Sequence, residues 1–195
     1  MPRPPTPARR SLPQQVRIIG GTWKRTPLPV ADRPGLRPTP DRVRETLFNW
    51  LGQDLQGWRC VDAFAGTGAL GLEAASRGAA DVLLVEADGA LVDQLRAIAT
   101  KLQAQNVRIQ RGNALNVLAA LPAGSVDLVF LDPPFEADLF AKALAAARPA
   151  VRLEGLVYLE APSAWEAEAL GRQGMEVLRS MKAGAVHGHL LRRTA

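Results

Sequence analysis

The 195-residue chain is 47% hydrophobic, enough for one α/β domain with a full core and an appendage. No apolar run nears the ~18 residues that span a bilayer, the basic N-terminus has no apolar segment behind it, and the lone Cys60 excludes an internal disulfide. A cytoplasmic protein with no membrane partner is expected, with Cys60 a buried small hydrophobe. The net charge of +5 is uneven: residues 1–59 hold eleven Lys/Arg against four Asp/Glu, residues 60–195 thirteen against fifteen. This asymmetry points to a polyanion-binding front on a near-neutral body, the plainer alternative being a soluble tail rich in Arg.

Ten of the fifteen prolines fall within residues 1–40, which rules out a continuous helix there. Residues 1–14 are expected to be a disordered Pro/Arg-rich tail. "QVRIIGG" predicts a short strand ending in a Gly-Gly turn, and "TPLPV" an irregular return strand. "LRPTPDRVRETLFNWLG" predicts a helix with Thr39 as N-cap and Pro40 in its first position. Val43, Leu47, Trp50 and Leu51 share its apolar face, and Gly52 ends it. From residue 58 strands and helices alternate. "WRCVDAF", "DVLLVEA", "NVRIQRG", "SVDLVFLDPP" and "LEGLVYLEA" are strands. Helices follow at "GALGLEAASRG", Asp88–Gln105, "ALNVLAAL" and "EADLFAKALAAARP". A weaker helix and a final strand pair near 175–180 and 185–192 complete the chain. This alternation predicts an α/β, doubly wound, mostly parallel sheet. Three segments are expected: the tail (1–14), a basic hairpin and helix suited to a polyanion such as nucleic acid (15–57), and the sheet domain (58–195).

"VDAFAGTGALG" contains G-x-G-x-x-G at Gly66, Gly68 and Gly71, on the first strand-to-helix turn, where open α/β sheets bind ligands. A dinucleotide is one reading, with Glu86 on the ribose. Asp62, four residues before Gly66, is poorly placed beside a pyrophosphate. It suits S-adenosylmethionine, which is cationic and carries no phosphate; otherwise it caps the turn. Asn113 could bond the adenine amine or be an ordinary turn residue.

"DPPF" (Asp132–Phe135) closes the fourth strand. Two prolines fix the backbone and leave carbonyls free to accept. An aromatic amine is a poor nucleophile and needs its N–H groups held so that nitrogen faces the methyl carbon. Asp132 and the Pro133 carbonyl supply the acceptors and Phe135 a stacking face. A dehydrogenase has no use for this constellation, although "DPPF" alone does not separate the amines of the purines.

"DPPF" is similar to the [DNS]-P-P-[FYW] signature of amino-methylating enzymes. With "VRIIGGTWKRTPLPV", "GLRPTPDRVRETLFNWL", "DAFAGTGALGLEAASRGA" and "VFLDPPF" in order, the chain closely resembles the RsmD family over roughly residues 15–160. The resemblance implies a class I methyltransferase (Rossmann-like) seven-stranded sheet with an N-terminal β-hairpin. It further implies methylation of a guanine N2 amine in 16S ribosomal RNA of the 30S subunit or a late assembly intermediate; separately, a monomer is expected. Asp62, Phe64, Gly66, Gly68, Glu86 and Asn113 would hold S-adenosylmethionine, and Asp132, Pro133 and Phe135 the guanine. Arg17, Lys24, Arg25, Arg42 and Arg44 are the candidate phosphate contacts, while Trp23 could stack on a base or pack on the sheet. An adenine-N6 methyltransferase and a non-catalytic RNA-binding assembly protein are the competing readings. His187 and His189 depart from the family's pattern; without a third ligand they are expected to be exposed strand residues, not a metal site.

Overall fold

The computed structural model describes residues 15–31, 39–134 and 139–195. The expected tail, Arg33, Arg37, Phe135 and the start of "EADLF" lie outside them. A two-stranded antiparallel hairpin comes first, β1 (Gln15–Arg17) and β2 (Pro27–Pro29), followed by α1 (Asp41–Trp50). The body runs β3 (Arg59–Asp62), α2 (Ala69–Ser76), β4 (Asp81–Glu86), α3 (Gly89–Lys101), β5 (Val107–Arg111), α4 (Ala114–Ala120) and β6 (Val126–Leu131). It continues through α5 (Leu139–Ala147), β7 (Val151–Ala161), α6 (Ala167–Gly171), β8 (Met175–Ala183) and β9 (Val186–Arg193).

The seven-stranded sheet has the order β5-β4-β3-β6-β7-β9-β8. Strands β3 to β7 pair in parallel, and the β8–β9 hairpin adds antiparallel to β7. The near-continuous apolar runs of β4, β6 and β7 follow from burial on both faces. Cys60, Leu84, Leu128, Phe130 and Tyr158 face one core, shared with α1, α2 and α3. Val61, Leu83, Val129, Leu131 and Leu159 face the other, under α4 and α5. The period-2 alternation of the strands is what separates the two. The sheet is therefore doubly wound and mostly parallel, as the alternating pattern predicts. The hairpin is no loose arm: Val16, Ile18 and Leu28 lie in the first core beside Leu47 and Phe48 of α1.

Two boundaries differ from expectation. Pro40, not Thr39, occupies the N-cap of α1, and no side chain caps it. Thr39 is 4% exposed, one residue ahead of the cap, and its hydroxyl donates to the buried Glu160 carboxylate. Helix α3 stops at Lys101 rather than Gln105, because the chain turns through Gln103 (φ +51) to bury Ala104 before β5. Among the described residues no helix is long and apolar enough to cross a membrane.

Candidate active site

The strand order reverses between β3 and β6, and their carboxyl ends meet where Ala63 N–H donates to the Phe130 carbonyl at 3.1 Å. After Asp62 the chain turns through Gly66 (φ +51) and Gly68 (φ +77), the latter capping α2 in a left-handed conformation that favours glycine. Gly71 is needed for a different reason: a Cβ there would lie 2.2 Å from Leu84 Cδ2 and 3.0 Å from Asp62 Cβ. Helix α2 can approach the sheet this closely only without a side chain at that point.

Two carboxylates shape this loop. Asp62 Oδ2 accepts the Gly71 N–H at 2.9 Å, so the capping role left open by the sequence is present. Glu86, at the end of β4, accepts Gly66 N–H on Oε2 and Asp88 N–H on Oε1, both at 2.9 Å. Asn113 is exposed and N-caps α4 by accepting the Asn116 N–H at 3.2 Å. Phe64 is half-buried against the second core. The cofactor candidates thus follow the carboxyl ends of the adjacent strands β3, β4 and β5, the end at which open α/β sheets bind ligands.

Asp132 follows β6 directly, with Pro133 buried and Pro134 exposed behind it. Because Leu131 pairs with Leu159, the next residues in register are Asp132 and Glu160. Glu160 is 4% exposed and accepts the Tyr158 hydroxyl at 3.0 Å in addition to that of Thr39. Burial, with repulsion from Glu86 and Glu160, pushes the Asp62 carboxyl up to about 7. Burial, with repulsion from Glu160 and Asp62, holds Asp132 well above the usual carboxylate range, and Glu160 is raised chiefly by burial. Such a site favours a cation and disfavours a pyrophosphate. Among the described residues no three His, Cys, Asp or Glu side chains close up tightly enough to hold a metal ion.

Glu160 and its hydroxyl donors are not among the residues to which the sequence points. The available signal was a charge at the carboxyl end of the apolar run "LVYLEA", on the strand after the one ending in Asp-Pro-Pro.

The basic front is fastened to α2 through Glu73. Its carboxylate accepts the N–H groups of Ile19 (2.7 Å) and Gly20 (2.8 Å), Arg77 Nε (2.8 Å) and Arg44 Nη1 (3.4 Å). Arg44 is fully buried, also pairs with Asp41 at 2.5 Å, and donates to the Thr39 carbonyl at 3.2 Å. This corrects its assignment as a phosphate contact: its charge is already compensated inside the protein. Arg17, Lys24, Arg25 and Arg42 are exposed, and Trp23 packs partly buried against the first core.

His189 is also corrected. It is 3% exposed, and its Nε2 accepts the Trp165 N–H at 3.2 Å, which leaves the ring proton on Nδ1. Burial lowers its pKa, so the neutral ring is the form that packs. His187 is half-buried. Cys60 is 2% exposed, and burial pushes its thiol far up, consistent with an inert core residue.

Residues 16–192 match the family described as "Conserved hypothetical protein 95". The chain is 52% identical over 125 residues to "Ribosomal RNA small subunit methyltransferase D" of Escherichia coli K12, an alignment covering 64% of this chain and 63% of that protein. The match thus spans less than two thirds of that relative's length. It is 42% identical over 134 residues to the protein of the same name from Haemophilus influenzae, covering 67% and 69% of the two chains. Among solved structures, "Putative methyltransferase yhhF from Escherichia coli" superposes with a TM-score of 0.80 at 41% identity, covering 93% of this chain and 99% of that one. The fold is that of the class I methyltransferases.

Proposed function

Since this chain belongs to the conserved hypothetical protein 95 family, the RsmD family that its motifs resemble, we propose that it methylates the N2 amine of a specific guanine in 16S ribosomal RNA, with S-adenosylmethionine as donor. The observation that carries this reading is the juxtaposition at the strand reversal. A carboxylate-lined glycine loop ends β3, and Asp132-Pro133 ends the adjacent β6.

The residues present fit the donor. Burial and repulsion from Glu86 and Glu160 raise the Asp62 carboxyl, a cation beside it in the loop offsets that repulsion, and Glu86 keeps lone pairs free for ribose hydroxyls. When bound, S-adenosylmethionine supplies an activated methyl group on a sulfonium. The protein's part is placement. Asp132 and the Pro133 carbonyl accept the two amine hydrogens and hold the nitrogen toward the loop, and the Asp132 carboxylate stabilises the positive charge that develops on nitrogen. Exposed Arg17, Lys24, Arg25 and Arg42 are the phosphate contacts in this reading, on RNA in the 30S subunit or a late assembly intermediate. The proposed setting is the cytoplasm, with the protein acting as a monomer.

The test is to incubate the protein with methyl-labelled donor and small subunits from cells lacking the gene, then digest the RNA to nucleosides. Label in N2-methylguanosine at one position is expected. Label in N6-methyladenosine, or none above a no-enzyme control, would refute the proposal.

A further inference from the structure

Glu160 belongs to neither the glycine loop nor the Asp-Pro-Pro turn, yet three elements cooperate to aim it. Tyr158 on the same strand donates its hydroxyl at 3.0 Å, and Thr39, just before α1, donates a second. On β9, Gly188 pairs with Glu160, and a Cβ at Gly188 would lie 2.7 Å from the Tyr158 hydroxyl. Glycine there leaves that hydroxyl room to reach the carboxylate. With two donors satisfied, Glu160 retains lone pairs for a further donor.

Asp132 and Glu160 stand side by side, in register, at the carboxyl ends of neighbouring parallel strands that run about 4.8 Å apart. Side-by-side acceptors match a base edge that presents side-by-side donors. Guanine has such an edge, with N1–H next to the N2 amine. Adenine instead places a lone pair at N1 beside its N6 amine, and a carboxylate facing that lone pair repels it. Asp132 and the Pro133 carbonyl already account for both hydrogens of the reacting amine, which leaves N1–H to be matched.

We propose that Glu160 is the specificity-determining residue that accepts the N1–H of the target guanine and thereby rejects adenine. This rests on the guanine-N2 reading above and deepens it: the Asp-Pro-Pro turn serves any exocyclic amine, and Glu160 selects the base.

The test crosses two enzymes with two substrates. Small subunits are reconstituted with either guanine or 2-aminopurine at the position the wild-type enzyme methylates; 2-aminopurine keeps the N2 amine but has a lone pair at N1. Wild-type kcat/KM is expected to fall on the order of 100-fold on 2-aminopurine, the scale of a lost hydrogen bond to a buried charge. Glu160→Gln should lose on the order of 10- to 100-fold on guanine yet separate the two substrates by less than about threefold, because an amide can donate to the N1 lone pair. S-adenosylhomocysteine affinity should be unchanged, showing that the variant is folded. Equal discrimination by wild type and Glu160→Gln overturns the proposal. Should Glu160→Gln fail to bind S-adenosylhomocysteine, Tyr158→Phe decides in the same cycle: reduced discrimination supports the role, and undiminished discrimination overturns it. Failure of the underlying function looks different, since the wild type would then leave guanine N2 unmethylated on unsubstituted subunits.

Discussion

Replacing Glu73 by Ala should detach the front of the chain from α2. The side chain is completely buried and serves four donors: two backbone N–H groups of the hairpin and the guanidiniums of Arg44 and Arg77. Arg44 is 0% exposed and Arg77 9% exposed, so neither can recover by hydration in place. Orphaning a buried ion pair costs about 3–5 kcal/mol, and each buried N–H left without an acceptor about 1–3 kcal/mol. These losses are not additive, because the hairpin can lift off and hydrate its own groups. A net loss of about 4–6 kcal/mol is therefore expected, a large share of the ~5–15 kcal/mol of a typical domain. Glu73→Gln keeps the shape and one acceptor oxygen but turns an NH2 toward donors, and should lose about 2–4 kcal/mol. Urea unfolding followed by circular dichroism gives both values, and Trp23, partly buried on the hairpin, reports its release by fluorescence. A loss below about 1.5 kcal/mol for Glu73→Ala, or equal losses for the two variants, would refute the reasoning.

Three further outcomes are expected. Asp132→Ala should keep S-adenosylhomocysteine affinity within about twofold and lower the single-turnover rate more than tenfold, which is ~1.4 kcal/mol of barrier; a smaller drop removes Asp132 from the chemistry. Asp62 holds its proton up to about 7 in the folded chain, against about 3.9 unfolded, so between these values the native state binds the extra proton. Ligand-free stability should therefore decline from about pH 4 to 7 relative to Asp62→Asn, and affinity for the cationic donor should rise toward pH 7 and then level off. Parallel pH profiles for wild type and Asp62→Asn, by thermal melts and calorimetry, would contradict this. Lys24→Ala/Arg25→Ala should weaken small-subunit binding and flatten its salt dependence without changing donor affinity; identical salt series would return both charges to ordinary solvated surface.

The sheet was legible because buried parallel strands and their crossover helices leave period and punctuation in the sequence: "VLLV" and "VFL" could hardly be anything but strands. Gly66 and Gly68 were legible for a related reason, since a tight strand-to-helix turn needs positive φ. Partnerships across distance were not. Arg44 reads as one more basic residue in a basic stretch, and only folding brings Glu73 beside it, 29 positions away. His189 looked exposed because its acceptor role depends on Trp165, in a loop that no periodicity marks. Thr39 has every local mark of an N-cap, yet a carboxylate 121 residues further on takes its hydroxyl. Local signals report what the backbone does; they do not report which polar groups meet.

The Glu73 clamp also bears on modularity. From Glu73 an unbroken chain of contacts leads through Arg44 to Thr39 and on to Glu160, beside Asp132. The basic front therefore cannot be treated as a detachable cassette grafted onto a self-sufficient catalytic body. Cutting between residues 57 and 58 would strip Arg77 of its place against Phe48, leave Glu73 with one partner in place of four, and take Thr39 away from Glu160. A chimaera carrying another enzyme's front end would have to import a matching α2 with it, so the smallest exchangeable unit runs from the hairpin through the end of that helix.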